Sequence, residues 1–253
     1  MVNVCDIKVM KPLLAEHGFH FSKAKGQNFL IASWVPESIA RESGVTSDVG
    51  VLEIGPGIGP LTQQLCLRAK KVCAVELDKR LEPILKLTVG EFENLQIIWD
   101  DVLKQDVKAL VAEKFAGLTP MACANLPYYI TTPILMKLLE SRLPFEYITI
   151  MIQSEVADRL CAPCGGKDCG AITAVLGYYG ETRRLFTVPA SAFLPAPKVN
   201  SAVVRIDLYD TPRYAPKDKD LFFALIKAAF EMRRKTLVNA VSAKLPYTKE
   251  QVA

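Results

Sequence analysis

The chain has 253 residues, of which 50% are hydrophobic and 23% are charged, and its formal net charge is +4. This length suits one large domain with a small appendage, and the hydrophobic fraction supplies a sizeable core. No apolar run approaches a membrane span, and the first residues lack the apolar stretch and cleavage site of a signal peptide. We therefore expect a cytoplasmic protein.

The seven cysteines occur mostly within apolar runs, which favours reduced, buried thiols over a disulfide framework. Cys161, Cys164 and Cys169 form one cluster that could be considered for a metal ion. A structural zinc site usually has four ligands, and both histidines, His17 and His20, are far away in sequence. We predict a cysteine-rich loop and no metal site.

Six short runs rich in apolar and β-branched residues are predicted to be strands, and segments of helical periodicity separate them. In chain order the runs are VGVLEIG, KVCAVELD, LQIIW, MACAN, YITIMIQ and SAVVRIDL. Such alternation is typical of an α/β fold with a mostly parallel sheet covered on both faces. Prolines within 209–216 suggest a linker. We predict an α/β domain over 1–206 and a small helical domain over 207–253.

Basic residues are concentrated near both ends of the chain. Segment 227–244 carries five basic residues against one acid, and segment 8–25 is also basic. Basic ends around a near-neutral middle are compatible with a polyanionic partner, although a solvated lysine-rich surface would have the same composition.

A glycine-rich loop, LEIGPGIGP, follows the first predicted strand and precedes a predicted helix. Gly55, Gly57 and Gly59 let the backbone approach a ligand closely, and the helix N-terminus favours negative charge. Glu76 stands about 20 residues later at the end of the second strand, where an acid can bind ribose hydroxyls. This order predicts an adenosine-containing cofactor. Pro60 departs from the G-x-G-x-x-G pattern of NAD-binding loops.

The form E-x-G-x-G-x-G, with Glu53 before the glycines, resembles motif I of class I methyltransferases that use S-adenosylmethionine. The resemblance implies this cofactor and a Rossmann-like fold. Asp101 lies just past the third predicted strand, where such enzymes hold the adenine of the cofactor. An alternative is that Asp101 caps a helix.

The sequence Asn-Leu-Pro-Tyr follows the fourth predicted strand, and ligands bind at the carboxyl ends of parallel strands. Asn125 offers a carbonyl acceptor, and Pro127 fixes the backbone so that the Leu126 carbonyl can point into the site. Tyr128 supplies a face for stacking. Two acceptors and an aromatic ring suit the exocyclic amine of a planar base. The segment resembles the [N/D]-[I/L/P]-P-[Y/F] motif of amino-methyltransferases that act on nucleic acids. An ordinary turn is the alternative.

A base must leave its stack to reach such a pocket, and a second aromatic ring would hold its other face. Phe193, on a proline-rich loop ahead of the last predicted strand, is the candidate. Tyr129 and Ile130 are expected to pack rather than to take part in the chemistry.

Taken together, the motifs resemble those of ribosomal RNA small-subunit adenine N6,N6-dimethyltransferases of the KsgA/RsmA type. The matching segments, in family order, are KGQNFL, LEIGPGIGPLT, VELD, DDVL, NLPYYITTPIL, FLPAPKVNSAVVR and FEMRRKTL. The resemblance implies seven cofactor-binding residues: Asn28, Leu30, Gly55, Gly57, Glu76, Asp101 and Asn125. The two basic segments supply five predicted RNA contacts: Lys23, Lys25, Arg233, Arg234 and Lys235.

The implied substrate is a pair of adjacent adenosines in a hairpin loop near the 3′ end of small-subunit rRNA, presented on an assembling subunit. Each adenosine receives two methyl groups, and the enzyme is expected to be a monomer. The helical domain is short for the family, which leaves open a truncation of the RNA-docking domain.

Two alternatives remain at this point. One is the related Erm-type enzyme, which methylates a large-subunit rRNA adenine and shares the QNFL and Asn-x-Pro-[Tyr/Phe] motifs. The other is a non-catalytic RNA-binding or ribosome-assembly factor descended from such enzymes. The intact Asn125 and glycine loop favour an enzyme.

Overall fold

A computed structural model describes residues 2–21, 27–141 and 143–253. The chain divides into two compact units. The first comprises Met1–Ala157 and Arg183–Leu208, and the second comprises Asp158–Thr182 and Tyr209–Ala253. The sequence-based boundary at 206/207 lies two residues from the end of the first unit. Residues 158–182, however, belong to the helical unit and not to the α/β unit.

The strands of the described ranges, in chain order, are β1 (Phe29–Leu30), β2 (Val49–Ile54), β3 (Lys71–Glu76), β4 (Leu95–Trp99), β5 (Thr119–Asn125), β6 (Tyr147–Gln153), β7 (Gly180–Val188), β8 (Phe193–Leu194) and β9 (Ser201–Leu208). Seven of them form one sheet in the order β4-β3-β2-β5-β6-β9-β7. Strands β1 and β8 form a separate antiparallel pair. All six predicted strands are confirmed, whereas the two short strands and β7 were not predicted.

The sheet is parallel from β4 through β6 and turns antiparallel at β9. This confirms the predicted α/β class with a mostly parallel sheet. Strand β2 is buried along its whole length, as expected for a central strand with both faces covered. Because β2, β3 and β5 are parallel neighbours, their carboxyl ends meet at one edge of the sheet.

The helices of the same ranges are α1 (Ile7–Glu16), α2 (Trp34–Glu42), α3 (Pro60–Cys66), α4 (Glu82–Val89), α5 (Val107–Lys114), α6 (Thr131–Glu140), α7 (Ser154–Leu160), α8 (Ala171–Tyr179), α9 (Lys219–Glu231), α10 (Leu237–Lys244) and α11 (Lys249–Val252). Aspartate side chains cap α1, α5 and α9 by accepting a backbone N–H of the first turn, which fixes where these helices begin. None of the helices described is long and apolar enough to cross a membrane.

The start of α3 packs closely against α4 because Gly59 has no side chain. A Cβ atom at Gly59 would lie 2.7 Å from a methyl carbon of Val89 and 3.1 Å from the Thr88 hydroxyl oxygen. Gly59 also has a φ of +94°, a conformation that favours glycine. The last glycine of the loop is therefore required for packing and for the turn into the helix.

The second unit is built around aromatic side chains of α8 and α9. Tyr179 stacks on Phe223 with ring centroids 5.9 Å apart, and Tyr178 meets the rings of Phe222 and Phe223. The Lys219 amine lies 5.2 Å from the centre of the Tyr179 ring, within cation–π range. These contacts explain why α8 joins the C-terminal helices and not the unit that precedes it in sequence.

Candidate active site

One pocket of the first unit lies at the carboxyl ends of β2, β3 and β5. The predicted site residues that line it are Asn28, Leu30, Gly55, Gly57, Glu76, Asp101, Asn125, Leu126, Pro127, Tyr128 and Phe193. They come from six segments that are widely separated in the chain. The parallel strand order and the β1–β8 pair bring these segments together.

The glycine loop leaves room at the pocket wall. Gly55 and Gly57 have φ values of +72° and +60°, which side-chain-bearing residues rarely adopt. A Cβ atom placed on Gly55 would have no atom within 4 Å among the described residues. The Gly55 amide donates to the Val75 carbonyl at 3.0 Å, so the loop is anchored to β3 while its backbone faces open space.

Glu76, at the end of β3, holds the glycine loop in place. Its carboxylate accepts the amide of Gly57 at 3.2 Å and the amide of Asp78 at 2.8 Å. Burial raises the pKa of Glu76, and these backbone hydrogen bonds oppose the rise. Glu76, the residue predicted to bind the ribose, therefore also stabilises the glycine loop through its hydrogen bond from Gly57.

The N-terminal motif is tied to the same end of β3. The Gln27 side-chain amide donates to the Asp78 carboxylate at 2.9 Å, and Arg80 pairs with Asp78 at 2.6 Å. Strand β1 adds a second attachment, since Phe29 is opposite Leu194 and Leu30 is opposite Phe193 in the antiparallel pair. The motif that carries the predicted cofactor-binding residues Asn28 and Leu30 therefore lies against the strand that carries Phe193.

Asp101 is half-buried beside the pocket. One of its carboxylate oxygens accepts the Leu103 amide at 2.9 Å, which stabilises the turn after β4. This contact resembles the capping role that was the alternative for Asp101. It leaves the second carboxylate oxygen for a ligand, so the two roles are compatible.

The Asn-Leu-Pro-Tyr segment turns sharply at the pocket wall. Asn125 is the half-buried last residue of β5, and the next side chain, Leu126, is 2% exposed and belongs to the core. The Leu126 amide donates to the Met151 carbonyl at 3.3 Å. Pro127 has φ −57° and ψ 132°, and its carbonyl accepts the Ile130 amide at 3.2 Å. Backbone contacts therefore fix the segment on both sides of Pro127.

A hydrogen bond from a distant strand fixes Tyr128. Its hydroxyl lies 2.7 Å from the hydroxyl of Ser201, which is fully buried at the start of β9. Burial raises the pKa of Tyr128, and the Ser201 hydrogen bond opposes the rise. Phe193, the predicted second aromatic, is 3% exposed and lines the pocket as part of its wall.

The expectation that Tyr129 packs is wrong. Its side chain is 61% exposed and lines the pocket, whereas Ile130 is half-buried. Residues 128–130 form a single 3₁₀ turn, in which consecutive side chains point in different directions. Because Tyr128 turns towards Ser201, Tyr129 is directed outward.

The predicted RNA-contacting residues fall into two groups. Lys23 and Lys25 lie outside the described residues. Arg233, Arg234 and Lys235 are exposed in the second unit. The Arg233 guanidinium donates to the Cys169 carbonyl at 2.9 Å and to the Lys167 carbonyl at 3.2 Å, so it also holds the cysteine-rich loop.

The cysteines are free thiols, and Cys66, Cys73 and Cys123, which stand within apolar runs of the sequence, are buried. Cys169 is buried as well, whereas Cys164 is exposed. Within the described part of the chain, no three His, Cys, Asp or Glu side chains are placed to hold a metal ion.

Glu53, which the sequence analysis used only as a motif position, is 1% exposed beneath the glycine loop. Its oxygens make no hydrogen bond of standard geometry to a described group, although the Thr62 hydroxyl lies close enough to favour ionisation. Burial raises the pKa of Glu53 from 4.5 to about 8, and nearby Glu76 contributes.

This carboxyl makes folding stability depend on pH. Because its pKa in the folded state exceeds that in the unfolded state, the native state binds the extra proton, and stability falls as pH rises from about 5 to 8. The slope from one such group is at most about 1.4 kcal/mol per pH unit. Glu53→Gln should reduce the slope of stability against pH. Part of the slope should remain, because burial also raises the pKa of Glu76. Urea unfolding across this range measures the effect.

The matched control is Glu113→Gln, since that side chain is 69% exposed. We expect the control to keep the wild-type slope. Equal slopes for wild type and Glu53→Gln would contradict the assignment of a protonated carboxyl.

The chain is similar to known proteins over most of its length. The family described as "Ribosomal RNA adenine dimethylase" matches residues 18–253. "Ribosomal RNA small subunit methyltransferase A" of Geobacillus thermodenitrificans is 49% identical over 242 residues, covering 95% of this chain and 83% of the relative. The protein of the same name from Alkaliphilus oremlandii is 48% identical over 242 residues, covering 96% and 84%.

Two solved structures share the fold over most of the chain. A dimethyladenosine transferase from Plasmodium falciparum gives a TM-score of 0.72 at 27% identity, covering 84% of this chain and 74% of that one. The 23S rRNA methyltransferase ErmE gives a TM-score of 0.69 at 25% identity, covering 87% and 85%.

Proposed function

Because the chain belongs to the ribosomal RNA adenine dimethylase family, we propose that it transfers methyl groups from S-adenosylmethionine to adenosines of small-subunit rRNA. Family membership confirms the resemblance drawn from the motifs. The acceptors are the N6 amines of two adjacent adenosines in the 3′-terminal hairpin loop, and each amine receives two methyl groups. The single observation that carries this proposal is the 49% identity to a small-subunit rRNA methyltransferase over 95% of the chain.

The pocket fits S-adenosylmethionine on structural grounds. Gly55 leaves open space beside a backbone that only glycine adopts readily, which suits close approach by the methionine part. Glu76 presents a buried carboxylate for the ribose hydroxyls, and Asp101 has an oxygen available for the adenine amine. Asn28 and Leu30 also line the pocket. Gly57 shapes the loop between these contacts.

The chemistry then requires mainly positioning. When bound, the cofactor supplies a methyl group already activated by its sulfonium charge. The lone pair of an adenine N6 amine is delocalised into the ring, which makes the amine a poor nucleophile. Acceptors at the Asn125 side chain and the Leu126 carbonyl favour a more tetrahedral nitrogen aimed at the methyl group. No strong general base is required, because the proton leaves after transfer.

The aromatic residues hold the flipped base between them. Tyr128 is fixed by Ser201 at 2.7 Å, so its ring is pre-oriented, and Phe193 lies in the pocket wall. Pre-oriented rings lose little freedom when the base binds, which is why this arrangement favours an unstacked adenine. Pro127, with its fixed φ, maintains the direction of the Leu126 carbonyl towards the base.

We infer that the enzyme acts as a monomer on rRNA within an assembling small subunit, in the cytoplasm. The Erm-type alternative is supported by the fold shared with ErmE at 25% identity. The 49% identity to a small-subunit enzyme favours the small-subunit activity over the Erm-type activity. The complete pocket disfavours a non-catalytic factor.

The test offers purified, unmethylated small and large ribosomal subunits separately to the enzyme with methyl-labelled cofactor. We expect label only in the small-subunit rRNA, approaching four methyl groups per RNA. Label confined to the large subunit would establish the Erm-type activity. Absence of label from both would support the non-catalytic factor.

The second unit contributes contacts to the RNA backbone through Arg234 and Lys235. Both are exposed, as is Arg233, but Arg233 also holds the 167–169 loop and is therefore left unchanged in the test. Replacing Arg234 and Lys235 with alanine should weaken subunit binding and lower the slope of log affinity against log salt by about one unit per lost phosphate contact. Binding measured across a salt series gives the slope.

A matched control replaces Lys70 and Lys108, two exposed lysines of the first unit. We expect the control to bind with the wild-type slope. If the Arg234 and Lys235 variant also keeps that slope, the basic segment is only a solvated surface.

A further inference from the structure

Tyr129 is a large aromatic side chain exposed at the edge of the pocket. It is 61% exposed and lines the same cavity as Asn125 and Tyr128. Single exposed apolar residues are common on protein surfaces, so exposure alone has no functional meaning. Its position beside the predicted base-binding segment is what requires an explanation.

The local backbone directs Tyr129 outward. The Ile130 amide and the Thr131 hydroxyl both donate to the Pro127 carbonyl, at 3.2 and 3.3 Å, and close the turn that carries the two tyrosines. Tyr128 is committed to Ser201 inside the protein. Tyr129 therefore keeps a defined direction without being part of the core.

A second segment reaches the same edge of the pocket. The loop from Pro195 to Asn200 begins after Phe193, which lines the pocket, and ends at Ser201, which contacts Tyr128. Asn200 fixes the loop, since its carbonyl accepts the Ser154 amide at 2.9 Å and its side chain accepts the Ala190 amide at 3.0 Å. Lys198 and Val199 are exposed on this loop, between its two fixed ends.

We propose that Tyr129 is a stacking site for the unpaired purine that adjoins the adenosine in the pocket. The inference rests on the proposed function and names a substrate contact that the function does not assign. When one base is turned into the pocket, the adjacent nucleotide must pass its edge. An exposed aromatic ring there replaces the stacking that the neighbouring base loses. Lys198, on the loop that follows Phe193, is an exposed cation that suits the RNA backbone.

The arrangement also suits a substrate with two targets. After one adenosine is methylated, its neighbour must enter the pocket. Stacking depends on a π-face and tolerates different bases, so the same ring can hold either the unmodified or the methylated partner. Tyr129 thus contributes to substrate binding without contacting the reacting atoms.

The experiment compares Tyr129→Ala and Tyr129→Phe with wild type on unmethylated small subunits. Loss of one base-stacking contact raises KM by roughly 5-fold or more. We expect this rise for Tyr129→Ala, with kcat within about twofold, and near-wild-type behaviour for Tyr129→Phe because the ring remains. Cofactor affinity, measured by calorimetry, should be equal in all three proteins. The matched control is Tyr214→Ala, whose side chain is 54% exposed in the second unit.

A second arm uses small subunits in which the neighbouring adenosine is replaced by uridine, which stacks more weakly. The effect of Tyr129→Ala should shrink on this substrate, because the contact is already weakened. An unchanged KM for Tyr129→Ala, an equal loss for Tyr129→Phe, or an equal effect on both substrates would overturn the stacking site while wild-type activity stands. If wild type transfers no label to small subunits, the proposed function fails and the stacking site fails with it.

Discussion

Asn125→Ala should lower kcat for methyl transfer by about 100- to 1,000-fold, the range for removing one fixed polar contact to a reacting group. Asn125 ends β5 and lines the pocket, and the backbone on both sides of Pro127 is held by hydrogen bonds. The side-chain acceptor therefore disappears without a change of fold. Single-turnover transfer to unmethylated small subunits, with cofactor and subunit saturating, measures the effect.

Two comparisons make the Asn125 result specific. Asn125→Asp places a carboxylate oxygen where the amide oxygen stood, and this oxygen is also an acceptor. We therefore expect Asn125→Asp to retain more activity than Asn125→Ala. Small-subunit affinity should remain within a few-fold of wild type in both variants. Wild-type turnover by Asn125→Ala would contradict the role given to this side chain.

Gly55→Ala should weaken S-adenosylmethionine binding by at least about tenfold. Its new methyl group would point into open space at the pocket, where no protein atom lies within 4 Å among the described residues. The backbone at φ +72° also becomes strained, at a cost of about 1 kcal/mol. Calorimetric titration with the cofactor measures the loss of affinity.

Gly117→Ala separates the two effects. Gly117 has a φ of +76° and equally open surroundings, but it lies in the turn after α5 and not in the pocket. Both variants should unfold at similar temperatures below wild type, and only Gly55→Ala should bind the cofactor weakly. Equal cofactor affinity in the two variants would show that Gly55 does not face the cofactor.

The central sheet could be predicted because its strands carry a local signal. Runs such as YITIMIQ, which forms β6, are apolar and β-branched, and the glycine loop marks the turn after β2. The order of parallel strands then places Gly55, Glu76 and Asn125 at one edge of the sheet. The part of the pocket that contains Gly55, Glu76 and Asn125 could therefore be predicted from the strand patterns and the parallel strand order.

Contacts between distant segments could not be predicted in the same way. The β1–β8 pair joins two strands of two residues each, too short to have a periodic pattern. The Tyr128–Ser201 hydrogen bond links residues 73 positions apart. It determines which tyrosine turns inward, and this explains why the packing expectation for Tyr129 was wrong.

The boundary between the units was only partly predictable for a related reason. Prolines mark the linker near residue 209, and the first unit ends at Leu208. Residues 158–182 join the helices beyond the linker because aromatic residues of α8 pack against α9. Packing between aromatic residues on segments some 40 residues apart produces no local sequence pattern from which it could be predicted.

The most direct test of the account is mass spectrometry of small-subunit rRNA from cells lacking the gene, compared with cells in which it is restored. We expect two adjacent adenosines of the 3′-terminal hairpin to lose both methyl groups in the absence of the gene. Restoring the wild-type gene should return them, and restoring Asn125→Ala should not. Unchanged dimethyladenosines in the small subunit, with a missing methyl group in the large subunit, would contradict the account.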